Sequence, residues 1–316
     1  MRKYIIMAAL LLAAMALCPL AAMGSQKSEE AVAEVMPVIS YSVESEIEYI
    51  TVMSSETGSM QKIKMREYLI GCVAAEMPPN YHEEALKAQA VASYTYAKRI
   101  TENSSDFISD SPLTHQGYVS RQDRMKNWGD DFEENERIIS DAVDAVYGYE
   151  MTYNGETALA VYHSISAGQT QSAEKLWGTD YLYLRSVPSP GDKLSPDFSY
   201  TVSFSPEEFA EKLGIDGDAD SSEWIEEIQS ENGYVDTVVV CGKEFSGVQI
   251  RDALELRSSS FEISHQNEKI TVTCKGHGHG VGMSQYGADY MARQGSTWQE
   301  ILNHYYAGTV ITETDL

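Results

Sequence analysis

The start of the chain limits what the remainder can become. Arg2 and Lys3 precede an apolar run from Tyr4 to Met23, interrupted only by Pro19, and Gly24-Ser25-Gln26 closes it. A positive end followed by an uncharged core has the form of an export signal. About 20 apolar residues also suffice to cross a bilayer. The run exceeds the about 7–15 residues of a signal-peptide core, so residues 1–24 are expected to stay as an anchor in the cell membrane. Cleavage near the small residues Ala21, Ala22 and Gly24, giving a secreted protein, is the alternative. Basic residues ahead of the run keep the N-terminus cytoplasmic and place the rest outside. Residues 25–47, rich in Ser, Glu and Ala, then read as a linker, and residues 48–312 as the folded domain.

That exported part is strongly acidic. The chain of 316 residues carries 48 Asp and Glu against 23 Lys and Arg, a formal charge of −25, and setting aside Arg2 and Lys3 leaves −27. This excludes nucleic-acid binding, which depends on cationic contacts to phosphate, and basic adhesion to an anionic membrane surface. With 43% hydrophobic residues and 20 Tyr, the chain is too apolar to stay disordered. Cys72, Cys241 and Cys274 are an odd number at spacings that match no zinc signature, and read as small hydrophobes.

The element pattern has no repeat and no succession of βαβ units. It predicts an α+β fold, with mixed helices and antiparallel strands forming one large domain with a cleft. A first strand falls near Glu48–Met53, and Met65–Met77 is a helix or strand ended by Pro78-Pro79. Tyr81–Ile100 is rich in helix formers, with Asn80 and Glu83 spaced as a capping box. Residues 102–135 read as a polar loop and Glu136–Val146 as a short helix. Asn154-Gly155 marks a hairpin, and 186–200 reads as loop. Ser205-Pro206-Glu207-Glu208 opens a helix. Val235–Cys241 and Phe261–Cys274 supply further strands, Arg251–Leu256 a short helix, and Trp298–Tyr305 the last helix.

Three stretches are unlike packing sequence. In Ala75-Glu76-Met77-Pro78-Pro79, a carboxyl beside apolar residues at a helix entrance could have its pKa raised by desolvation, as suits a general acid. The plain alternative is a surface Glu that caps the helix or pairs with Lys87 or Lys98. In Lys275-Gly-His-Gly-His-Gly-Val-Gly-Met-Ser-Gln-Tyr-Gly-Ala288, the glycines leave backbone open to close ligand approach. His277 and His279 would share one face of an extended segment. The pattern is neither a dinucleotide fingerprint nor a phosphate loop, and a single His-x-His pair lacks a third metal ligand. Tyr162-His163-Ser164-Ile165-Ser166-Ala167-Gly168-Gln169-Thr170 pairs Ser with His but has no nucleophile elbow; a polar turn at a strand end is the alternative.

Taken in order, these stretches resemble the SpoIID/LytB family. The motifs are Cys72-Val-Ala-Ala-Glu-Met-Pro, Glu84-Ala-Leu-Lys-Ala-Gln-Ala-Val-Ala-Ser, Tyr162-His-Ser-Ile-Ser-Ala-Gly-Gln-Thr, Arg251-Asp-Ala-Leu-Glu-Leu-Arg-Ser and Gly276-His-Gly-His-Gly-Val-Gly-Met-Ser-Gln-Tyr-Gly-Ala. The resemblance implies a lytic transglycosylase, a lyase that cuts denuded peptidoglycan glycan strands to 1,6-anhydromuramic ends during engulfment in sporulation. It implies an amidase/endopeptidase of the SpoIIP type and a sporulation membrane complex as partners, and no cofactor. Glu76 matches the family's catalytic Glu. Lys87, Gln89, Tyr94, His163, Ser166, Gly168, His277, His279, Ser284 and Gln285 are the implied substrate-binding residues. Tyr94 stands where relatives commonly have Arg. Some members bind zinc through a Cys-Asp-x-Thr-His-Cys-Gln segment; the comparable Ser109–Tyr118 here has His115 but neither Cys, so no metal is expected. A non-catalytic wall-binding protein or amidase enhancer of the LytB type is the alternative.

Overall fold

The computed structural model describes residues 48–103, 105–215, 224–266 and 269–314. The expected anchor and linker, residues 1–47, lie outside them. Elements are numbered in chain order.

Strands β1 (Tyr49–Met53) and β2 (Met60–Lys64) pair antiparallel and lead directly into helix α1 (Met65–Glu76). Helix α2 (Glu83–Asn103) follows and is buried on nearly all sides, from Ala85 to Ala97. A helix enclosed on nearly all sides belongs in a core even though it carries Gln89, Ser93 and Thr95 there, and its many Ala residues let neighbours approach closely. It is the hub of the first core cluster: α1, α4 (Phe132–Asp144), strand β4 (Tyr149–Tyr153), α8 (Gln285–Arg293) and α9 (Trp298–Tyr305) all pack on it. Asn80 does not cap it. His82 takes that place: its carbonyl accepts from the N–H groups of Ala85 and Leu86, and its Nδ1 from that of Glu84.

The sheets are small. β3 (Ile108–Ser109) runs parallel to β1, while β4 lies between β5 (Glu156–Thr157) and β14 (Val310–Glu313). Asn154 and Gly155, both at positive φ (52° and 82°), make the expected β4–β5 turn. β6 (Tyr162–His163) and β13 (Met283–Ser284) pair in parallel, and the short helix α5 (Ala173–Trp177) follows β6 in the chain. This short ladder brings two distant motifs side by side.

A second core cluster gathers between Phe204 and Cys274. One of its sheets has the order β7 (Ser199–Phe204), β12 (Lys269–Lys275), β11 (Phe261–Gln266). The other is β8 (Ile225–Glu231), β9 (Tyr234–Val240), β10 (Lys243–Ser246). Helices α6 (Pro206–Leu213) and α7 (Gly247–Ala253) cover them, and Ser205 with Glu208 forms the expected capping box. The architecture is α+β, as predicted. Cys72 and Cys274 are buried free thiols.

Two segments read as loop are structured. Residues 102–135 contain α3 (Arg121–Trp128) and the start of α4, and 186–200 contains a 3-10 turn at Pro190–Leu194. Helix α3 buries only Arg124, so it shows no apolar period. The Arg124 guanidinium binds Glu67 at 2.7 Å, Glu136 at 2.8 Å and the Val119 carbonyl at 2.8 Å. Those bonds fasten α1, α4 and the segment beside Glu76 to one another.

Candidate active site

A cleft of about 530 Å³ opens where the first Glu motif, the β6 end and the Gly/His segment meet. Glu76, the last residue of α1, lies on its wall. Pro78-Pro79 stops the helix there, so the side chain stands at a terminus. The backbone N–H of Gly117 donates to Glu76 Oε1 at 2.7 Å, and Gln285 Nε2 donates to Oε2 at 3.3 Å. Burial raises the Glu76 pKa against the lowering effect of these two donors. Neither lysine considered as a partner reaches Glu76: Lys87 pairs with Glu83 and Glu84, and Lys98 with Glu150.

The donors are held in turn. Gln285 Nε2 also donates to Gln89 Oε1 at 3.3 Å, and Gln89 Nε2 to Ser93 Oγ at 3.0 Å. Gln116 Nε2 donates to the Tyr68 hydroxyl at 2.7 Å, and the Tyr162 hydroxyl donates to Gln116 Oε1 at 2.8 Å. A Cβ on Gly117 would meet Glu76 Oε1 at 2.9 Å and Ala75 Cβ at 3.2 Å. Only glycine lets the backbone approach the carboxyl so closely.

The Gly/His segment folds as the spacing of its glycines requires. Gly276, Gly278, Gly280 and Gly282 all have positive φ. A Cβ on Gly278 would strike His163 Cβ at 2.8 Å. The Val281 peptide orients two imidazoles: its carbonyl accepts from His163 Nδ1 at 3.1 Å, and its N–H donates to His279 Nδ1 at 3.1 Å. The proton on His163 is therefore on Nδ1, and Nε2 is a buried acceptor without a partner among the described residues. Burial lowers the pKa of His163 to about 3 and that of His279 to about 4, with Arg251 adding to the second. Both rings are neutral at physiological pH. His279 lies between His163 and Trp177, with ring centroids 5.7 and 5.6 Å away.

Five of the sequence-predicted residues line the cleft: Glu76, His163, His277, His279 and Gln285. Gln89 stands behind Gln285. Ser166 and Ser284 also lie behind the wall, both donating to the fully buried carboxylate of Asp192; Gly168 donates to Ser166 Oγ at 3.1 Å. Two lie elsewhere. Lys87 is drawn to the first-turn carboxylates Glu83 and Glu84 of its own helix. Tyr94 is a core residue whose hydroxyl donates to Glu48 at 3.0 Å, so the usual Arg position does not face the cleft. Tyr96, Gln116, Tyr162, Trp177, Asp192 and Arg251 were not singled out by sequence reasoning. Tyr162 and Arg251 stood in quoted motifs, whereas Trp177 and Asp192 carry no local signal.

The segment comparable to the zinc motif makes the wall facing Glu76. His115 Nδ1 accepts from the Ser109 N–H at 2.9 Å, and Asp110 Oδ1 from the Ser55 N–H at 2.8 Å. Among the described residues no three His, Cys, Asp or Glu side chains converge to hold a metal. This donor set does not fit zinc, which needs four ligands at a structural site.

A family profile described as stage II sporulation protein, SpoIID, matches residues 53–153. Stage II sporulation protein D of Bacillus subtilis (strain 168) is 40% identical over 272 residues, spanning 84% of this chain and 79% of that protein. An uncharacterized protein of Brachyspira hyodysenteriae is 29% identical over 263 residues, 80% of this chain and 68% of its own. The amidase enhancer of Bacillus subtilis (strain 168) is 25% identical over 302 residues, 77% of this chain but 40% of that longer protein.

Proposed function

Because the chain belongs to the SpoIID family of sporulation proteins, we propose that it is a lytic transglycosylase of peptidoglycan, with Glu76 as the single acid and base. The observation that carries this reading is the charge census of the cleft. Among the described residues lining it, Glu76 is the only carboxylate. Hydrolytic glycosidases usually set a second carboxylate about 5–9.5 Å from the first, as nucleophile or to activate water. One acid suffices if the sugar supplies its own nucleophile.

In that reaction Glu76, whose pKa burial raises, donates its proton to the glycosidic oxygen as the C1–O bond breaks. The C6 hydroxyl of the same muramyl residue attacks C1 and closes the 1,6-anhydro ring. Its proton passes to the Glu76 carboxylate, which restores the starting acid without water. The intramolecular attack gains from effective molarities of about 10⁵–10⁸ M. Gly117 N–H and Gln285 Nε2 stabilise the carboxylate during the interval in which it has given up its proton.

The same reading places the domain outside the cytoplasm on an anchor at residues 1–24, acting with an amidase/endopeptidase of the SpoIIP type on glycan freed of stem peptides. Among the described residues no helix is long and apolar enough to cross a membrane. The likeness to an amidase enhancer favours a second reading, a wall-binding protein that stimulates an amidase without cutting glycan. Digestion of purified glycan strands, with products identified by mass spectrometry, decides between them. The expected result is 1,6-anhydromuramic ends from the wild type and a loss of about 10²–10⁴-fold with Glu76→Gln. Absence of such ends, or equal yield from Glu76→Gln, rejects the enzyme.

A further inference from the structure

The cleft wall bears one acidic and one basic side chain. Among the described residues lining it, Glu76 and Arg251 are the only Asp, Glu, Lys or Arg side chains. Arg251 sits on α7, whose Ile250 and the following Leu254 are buried in the second core cluster, so its backbone is firmly seated. The nearby Arg257 is engaged, with its guanidinium 4.6 Å from the Tyr200 ring centroid and 3.9 Å from Asp197. Arg251 is not engaged: among the described residues its guanidinium has no ion pair and no hydrogen bond. Burial is the main cause of the lowered pKa of His277 and His279; the Arg251 charge adds to it at both, after Arg257 at His277, yet it is not among the groups acting on Glu76. In a chain with 48 acids to 23 bases, a cation left without an acid at a cleft wall points to an anion supplied by the ligand.

We propose that Arg251 binds the free lactyl carboxylate of N-acetylmuramic acid and thereby selects glycan whose stem peptides have been removed. The inference takes its substrate from the transglycosylase reading. In such a strand the lactyl group is the one ionisable substituent. With a stem peptide attached, that carboxyl is an uncharged amide. Once freed, it is a planar anion that matches the guanidinium fork with two parallel N–H···O bonds. An amide there leaves Arg251 unpaired inside the complex, so discrimination comes from a penalty as well as from an attraction.

The test compares denuded strands with the same strands carrying methylamide-capped lactyl groups. It is run on the exported chain as wild type, Arg251→Gln and Arg251→Lys, with near-UV circular dichroism to verify folding. The wild type is expected to prefer free carboxylates by about 10- to 100-fold in kcat/KM, the range of a charge-assisted hydrogen bond. Arg251→Gln should bring that ratio close to one, and Arg251→Lys should keep part of it. A wild type indifferent to capping, or a folded Arg251→Gln that retains the preference, overturns the proposal. If Arg251→Gln does not fold, the partial preference of Arg251→Lys decides. Calorimetric binding of both strand types to the Glu76→Gln protein, with and without Arg251→Gln, reads the same ratio without turnover. A preference there, alongside a wild type that makes no anhydro product, would keep the Arg251 assignment and reject the reaction.

Discussion

At Glu76 two opposed effects set the chemistry. Burial favours the protonated acid, while the N–H of Gly117 and the amide of Gln285 favour the anion; burial is the larger. An acid that must give its proton and then take one back needs both influences. The balance has a direction that can be measured. Gln285→Met removes a donor to the carboxylate, so the Glu76 pKa rises further and the protonated form persists to higher pH. The alkaline limb of the pH–rate profile should therefore move upward relative to the wild type. The maximal rate should fall about tenfold or more, because the anion formed mid-reaction loses a hydrogen bond. A downward shift of that limb would mean that Gln285 does not act on Glu76.

Among the elements, the Asp192 carboxylate is the joint that holds the motifs together. It is fully buried in the 3-10 turn Pro190–Leu194, accepts from Ser166 N and Oγ, and accepts from Ser284 Oγ at 2.8 Å. Ser284 also caps α8 by accepting from the Gly287 N–H at 3.2 Å. The β6 end that bears His163 and the helix that begins at Gln285 thus share one anchor. Asp192→Asn sets an amide N–H against donors already aimed at the carboxylate. It should cost about 2–3 kcal/mol in urea unfolding, whereas Ser284→Ala should cost about 1 kcal/mol through the lost cap. A neutral Asp192→Asn would show the joint to be incidental. The Ser205 capping box, the Asn154-Gly155 turn and the helix Trp298–Tyr305 were legible because each signal is contiguous in the chain. Helix α3 was not, since its single buried residue is Arg124 and binds carboxylates on two other helices. Helix α8 was hidden in the glycine-rich stretch, and Asp192 has meaning only beside Ser166 and Ser284. The same division runs through the site. Glu76, His163, His277, His279 and Gln285 lie in local motifs, whereas Trp177 and the role of Arg251 come from folding that joins distant segments.

Across the whole molecule, acidity and substrate charge oppose each other. A chain at −25 and a strand of free lactyl carboxylates repel at distances beyond contact, while the proposed Arg251 contact attracts only within the cleft. Salt separates the two ranges. The Debye length falls from about 30 Å at 0.01 M to about 8 Å at 0.15 M ionic strength, so the diffuse repulsion is screened first. A contact made in a partly enclosed cleft is screened less. Raising ionic strength over that range should therefore increase kcat/KM on denuded strands several-fold, opposite to the behaviour of a cationic wall-binding protein. Strands with capped lactyl groups, being uncharged, should respond little. The ratio between the two substrates should then widen with moderate salt, because repulsion penalises only the charged strand. A fall in kcat/KM on denuded strands across that range would mean that attraction reaches well beyond the cleft, and that local contact is not what brings the glycan to Glu76.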